Sequence, residues 1–268
     1  GSVWRLTTML QSKYHFPVAC LATQLAFSIY ISLTSEGVVH GDSVHCRSAC
    51  APGVADAPSP CAQSHKGLYY NNDFQYLNDP SYQGTCLGDC LKLMPVAEGR
   101  WGTLDLGGQL RLRYHHERGM GQSQGLGRFQ ATETDFVLTR LRLYSNWKVN
   151  ERFRIFTEGI LAEASDDGGN YLPRGIDRNY GDFLNLFADV QLTDCMSLRI
   201  GRQELLYGNQ RLVSPLDWAN VRRTFEGANI STKVGDWEVD GFFTHLVPVD
   251  ANRTMDITSA IEGLRIFW

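Results

Sequence analysis

Nine arginines are placed where they could act on an anion: Arg111, Arg113, Arg140, Arg142, Arg154, Arg199, Arg202, Arg222 and Arg223. From Arg100 onward the basic residues are almost all arginine, with Lys148 and Lys233 the two lysines. A guanidinium is a planar fork that meets a carboxylate or phosphate through two parallel hydrogen bonds, which an ammonium does not do. A row of them in one wall would favour anions. The competing reading is internal bracing, because Asp105, Glu158, Asp189, Glu204 and Glu226 are interleaved and each could hold one arginine in place. For any single arginine the brace is the simpler expectation. For the set as a whole, we expect a contribution to solute selectivity.

Two other clusters have the residue types of catalysis or metal binding. His115 and His116 precede Glu117, but adjacent residues of a strand point to opposite faces and do not share a ligand. Asp166-Asp167-Gly168-Gly169-Asn170 is an acidic, glycine-rich loop without the full spacing of a calcium loop. Nucleophile elbows, phosphate loops and dinucleotide fingerprints are missing from the sequence. The expectation is a non-enzyme with no catalytic, metal or cofactor site.

The arginines sit on a period of two. In Thr103–His116, Leu104, Leu106, Leu110, Leu112 and Tyr114 alternate with Asp105, Gln109, Arg111, Arg113 and His115. From Asp135, Val137, Leu141, Leu143, Trp147 and Val149 oppose Arg140, Arg142, Asn146 and Lys148, and Asn150-Glu151 supplies a tight turn. Next, Phe153, Ile155, Thr157 and Leu161 oppose Arg154 and Glu158. Leu184, Leu186, Ala188, Val190 and Leu192 then alternate with Asn185, Asp189 and Gln191. Strands are also expected at Ser197–Leu205, Arg222–Val234, Trp237–Leu246 and near Asp256–Trp268, with Gly235-Asp236 as a turn. This is about eight strands joined by alternately short and long connections, the plan of an up-and-down transmembrane β-barrel. A soluble sandwich would carry a mixed Lys, Thr and Ser face rather than arginines and carboxylates in register.

Composition agrees with an all-β membrane barrel without demanding one. The chain has 268 residues, 43% of them hydrophobic and 20% charged, a hydropathy that a barrel shares with soluble proteins because each strand is apolar on one face. A formal net charge of -4 argues against a nucleic-acid partner. Residues 1–40 contain an uncharged apolar run, Phe16–Leu33, preceded by Lys13, in the layout of a signal peptide if Met9 is the initiator. Residues 41–100 read as an irregular linker rich in Ala, Pro and Ser, followed by an aromatic, turn-rich stretch, Gly67–Met94, that suits a compact plug or cap. Six of the seven cysteines lie before the strands, in spacings that favour periplasmic disulfides over zinc. Residues 101–268 are expected to form the barrel.

Three blocks, Leu110–Glu117, Leu138–Gly159 and Gly201–Ile230, resemble in order and spacing the alginate-export family of outer-membrane porins. Its features are a Gly-Gln-Leu-Arg-x-Arg-Tyr first strand, an Arg-Leu-Arg second strand and a Gly-Arg-Gln-Glu-Leu-x-Tyr-Gly strand end. The resemblance implies a monomeric barrel of about eighteen strands, within the range such barrels show, whose basic lumen guides a polyuronate. The chain would then supply an N-terminal portion of that barrel. Implied partners are outer-membrane lipid, an anionic saccharide or uronate-like solute, and the barrel-assembly machinery, whose C-terminal signal Leu264-Arg265-Ile266-Phe267-Trp268 resembles. The alternative function is a small filled barrel or sandwich acting as a structural or carbohydrate-binding surface protein without transport.

Overall fold

The computed structural model describes residues 29–34, 60–84, 86–119, 133–165 and 170–250. Seven strands form an antiparallel meander in chain order: β3 (Thr103–Arg118), β4 (Glu133–Lys148), β5 (Phe153–Ala164), β6 (Asn179–Thr193), β7 (Met196–Gln203), β8 (Phe225–Val234) and β9 (Trp237–Leu246). Before them, β1 (Ile29–Thr34) lies parallel along β3, and β2 (Met94–Pro95) pairs antiparallel with Leu104 and Thr103. The sheet is not closed among the described residues, where β9 has β8 as its single neighbour. The expected strand near Asp256–Trp268 and the acidic loop Asp166–Gly169 lie outside them.

Connections alternate in length as the sequence predicts. Short turns at 149–152, 194–195 and 235–236 lie at one end, and long excursions at 119–132, 165–178 and 204–224 at the other. At the first short turn Val149 N–H donates to Phe153 O at 3.0 Å, and the Asn150 side chain accepts from Arg152 N–H at 2.9 Å, the local bonding that suits asparagine to a turn.

Each strand has two chemically distinct faces because its side chains alternate. On β4, Thr134, Phe136, Leu138, Arg140, Arg142, Tyr144 and Asn146 are all buried, while Val137 and Leu143 between them are exposed. The same outer side carries exposed Leu161, Leu186, Leu192, Ile200, Ile230, Val239 and Phe243. An apolar outer side opposite an inner side that mixes buried charges with aromatic and aliphatic clusters matches a lipid-facing wall over a filled interior. Two departures from alternation have local causes. Leu184, expected outside, is 1% exposed. The register slips between Glu158 and Gly159, which face Asn185 and Phe183, so Leu184 is an extra residue turned in by a bulge. Gly201 and Gly227 face each other across β7 and β8 at φ 129° and 155°. A Cβ there would lie 2.3 Å from Leu186 O or 2.2 Å from Phe243 O, so the close approach of the neighbouring strands needs glycine at both positions.

The inner face is covered from both ends. From the short-turn end comes the segment before β3, with α1 (Pro60–Ser64), 3-10 turns at Tyr69–Asn71, Gln75–Asn78 and Asp89–Leu91, and a Cys61–Cys86 disulfide. Its Leu68 and Tyr70 form one core with Tyr144, Phe156 and Phe187 of β4, β5 and β6. The Phe156 ring centroid lies 5.8 Å from that of Tyr144 and 5.3 Å from that of Phe187, and Tyr70 meets Phe156 and Phe187 edge-on. From the long-loop end, 170–178 and 204–224 fold inward. Tyr171 stacks on Phe136 at 3.9 Å, and Phe136, Leu138, Ala164 and Tyr171 make a second core.

Candidate functional site

The inner-face polar residues are arranged in levels along the strands. Nearest the short turns, Asp189 of β6 accepts from Arg154 Nε of β5 at 2.9 Å and from Arg199 Nε of β7 at 2.7 Å. Asp105 of β3 takes no arginine here: it accepts from Asn146 Nδ2 and Leu93 N–H, both at 2.8 Å. The aromatic band follows, with the Arg142 guanidinium 4.0 Å from the Tyr69 ring and that of Arg199 4.0 Å from Phe187, contacts worth most where water is excluded.

Above the band lies an ion network that is buried except at Asp217, whose side chain is exposed. Arg142 Nε donates to Glu158 Oε1 at 2.5 Å, and Arg142 Nη2 lies 3.5 Å from Glu204 Oε2. Arg222 bonds both Glu204 and Asp217. Asn185 bridges the two glutamates, donating to Glu158 at 2.8 Å and Glu204 at 3.1 Å, and its oxygen accepts the Glu204 N–H at 2.8 Å. Arg140, Arg142, Arg222, Glu158 and Glu204 are each 3% exposed or less. Charges so buried persist only when paired and fully hydrogen-bonded.

The loop 204–224 binds the wall through its backbone. Arg111 donates to Asp217 O at 3.2 Å and Ala219 O at 2.7 Å, Arg113 to Trp218 O at 2.8 Å, and Arg140 to Ala219 O at 3.3 Å. Asn220, 1% exposed, donates to three carbonyls, those of Thr139, Glu163 and Asp177. Burial pushes the Asp217 carboxyl up, but Arg222, Arg140 and Arg111 outweigh it and hold the group below the usual aspartate range.

The expected arginines therefore fall into distinct places. Arg111, Arg113, Arg140, Arg142, Arg154 and Arg199 lie on the inner face and Arg222 joins them from the loop. Arg202 is three residues from Arg199, so regular alternation does not put both on one face. Arg202 bonds Asp182 at 2.8 Å and lies 3.6 Å from Glu226. Arg223 is half-buried, and its N–H donates to Pro215 O at 2.8 Å. Four of the five expected bracing carboxylates, Glu158, Asp189, Glu204 and Glu226, are within reach of an arginine. His115 stacks on Phe136 at 4.8 Å on the inner side, and His116 pairs with Asp135 at 2.8 Å on the outer side. Asp182, Asp217 and Asn220 escaped the sequence reading, because loop residues have no periodicity and Asp182 lies in the bulged part of β6. Cys195, in a short turn, is a free, exposed thiol.

An antiparallel up-and-down meander with an apolar outer side and loops folded against a charge-bearing inner side has the architecture of part of a β-barrel wall. The sequence pattern of the Alginate export family matches residues 103–261, more than half of the chain and beginning where β3 begins, and the chain belongs to that family. No curated protein matches the chain. The family is one of outer-membrane transport barrels and not of enzymes, and it associates this chain with bacterial polysaccharide export.

Proposed function

We propose that this chain forms part of an outer-membrane channel that passes an anionic saccharide or a similar anionic solute down its gradient, with loop 204–224 as the constriction. Its apolar surface faces outer-membrane lipid, and the barrel-assembly machinery inserts it. The observation that carries this reading is a charge imbalance at the constriction. Three guanidiniums, from Arg140, Arg142 and Arg222, pair with three carboxylates, from Glu158, Glu204 and Asp217, and Arg111 adds a fourth guanidinium beside them. The hydrogen bonds of Arg111 go to carbonyls. A local excess of fixed cation in a narrow passage raises anion occupancy and rejects cations. The further members of the set, Arg113, Arg154, Arg199, Arg202 and Arg223, extend the basic character above and below.

A second reading, a filled barrel acting as a membrane anchor, is favoured by the dense cover on the inner face. Liposome swelling separates the two. A channel selective for anions admits glucuronate faster than glucose, and equal or reversed rates overturn the selectivity. An anchor admits neither.

A further inference from the structure

The segment before β3 lies outside the family match, and the contacts that hold it are of two kinds. Inside the segment the link is covalent, through Cys61–Cys86. The wall from Thr103 to Leu246 holds one cysteine, Cys195, and it is free, so no disulfide joins segment to wall. Segment and wall are joined by the chain itself, through the short β2–β3 pairing on one side and through the chain leading back to β1 on β3 on the other, and otherwise by non-covalent contacts. Tyr70 is the centre of these. Its ring is edge-on to Phe156 and Phe187, the Arg199 guanidinium lies 4.3 Å from it, and its hydroxyl donates to Glu204 O at 2.8 Å. Arg154 Nη1 donates to Tyr70 O at 2.9 Å, Asn72 Nδ2 to Tyr144 Oη at 3.3 Å, and Leu93 N–H to Asp105 at 2.8 Å. Burial pushes the Tyr70 hydroxyl pKa up, so it remains a neutral donor.

A wall meant only for hydrated solute has no use for three inward aromatic rings on adjacent strands. Here Tyr144, Phe156 and Phe187 are 6% exposed or less because Tyr69 and Tyr70 cover them. A segment stapled within itself, held by the chain to β1 at one end and to β3 at the other, and seated on this band can leave and return as a preformed unit, because its cross-link limits the conformations it gains when undocked.

We propose that residues 60–95 form a releasable plug that shuts the short-turn end of the lumen, with Tyr70 as its pin. Through the Tyr70 hydroxyl the plug meets the constriction loop at Glu204, the residue that also bonds Arg142 and Arg222. Release of the plug therefore removes one support of the constriction as well as the obstruction below it. This rests on the channel reading above.

The test uses the full chain inserted in lipid, comparing wild type with Tyr70→Ala and Leu68→Ala. The second variant loosens the same seat while keeping the hydroxyl contact, and serves if Tyr70→Ala fails to fold. Trypsin cleavage after Lys92, whose ammonium donates to Tyr144 Oη at 2.9 Å while the segment is seated, reports plug release, and planar-bilayer recording reports open probability. The plug predicts both to rise several-fold in the variants, with Tyr70→Phe intermediate because it keeps the ring and loses the hydroxyl. If cleavage rises while open probability stays at a measurable wild-type level, the plug is overturned and the channel stands. If cleavage rises and neither wild type nor variant ever conducts, the channel reading falls and the plug with it. If cleavage does not rise in either variant, the segment is a fixed part of the wall and the proposal is overturned.

Discussion

Glu204→Gln removes one charge from the buried network with almost no change in volume. The Glu204 side chain is fully buried and is bonded by Arg142, Arg222 and Asn185. Breaking a buried ion pair from one side costs about 3–5 kcal/mol, because the remaining charge is left uncompensated. The lower end applies here: Arg142 keeps Glu158 at 2.5 Å, Arg222 keeps Asp217, and the amide still offers one acceptor. A loss of about 3 kcal/mol corresponds to roughly a hundredfold in the folding equilibrium, at about 1.4 kcal/mol per tenfold. Urea titration of the lipid-inserted protein, followed by the shift between folded and unfolded gel mobility, measures it. Adding Arg222→Met to the variant should recover part of the loss, since an apolar side chain replaces a buried charge that has lost the buried one of its two partners. A Glu204→Gln midpoint equal to wild type would refute the buried network as a source of stability.

Asp217 supplies the pH dependence. Its folded pKa lies below the ordinary aspartate value of about 3.9. Its contribution is therefore complete above that value and is lost as pH falls through the lowered one. The stability difference between wild type and Asp217→Asn should be constant from neutral pH to about pH 5 and shrink below about pH 4, as thermal melts across pH would show. Gly201→Ala forces a Cβ to 2.3 Å from Leu186 O and should cost about 2–4 kcal/mol in the same urea titration. Leu143→Arg, on the exposed apolar face of β4, should cost about 2–4 kcal/mol in a bilayer and far less in a detergent that solvates the charge.

The parts of this architecture that were legible in the sequence are those where a period carries the information. β4 was readable residue by residue, because every outer position from Val137 to Trp147 is apolar or small and uncharged while Arg140, Arg142 and Asn146 point in. β9 was placed at its observed ends. Where backbone geometry interrupts the period, the reading failed, since the β6 bulge turned Leu184 inward; Arg202, three residues from Arg199, was set on the inner face against the alternation itself. Phe156 and Phe187 follow the alternation, but an aromatic on the polar face has no meaning until its cover, Tyr70, is known, and that contact spans more than eighty residues. Asp217 and Asn220 act through a loop whose inward course is decided by the guanidiniums and carbonyls it meets, and no local pattern encodes such long-range partners. The aromatic stretch Gly67–Met94 was recognisable as something compact, and its seat on the wall was not. The arginines were visible as a set, whereas their division among Glu158, Asp189, Glu204 and Asp217 is a matter of three-dimensional reach.

The central claim, that an excess of guanidinium at the constriction makes the lumen selective for anions, is tested most directly by the reversal potential in a planar bilayer under a potassium chloride gradient. The account predicts a chloride-selective potential for wild type that moves toward zero or reverses in Arg111→Ala/Arg140→Ala. A cation-selective wild type, or a potential unmoved by losing both arginines, would contradict it.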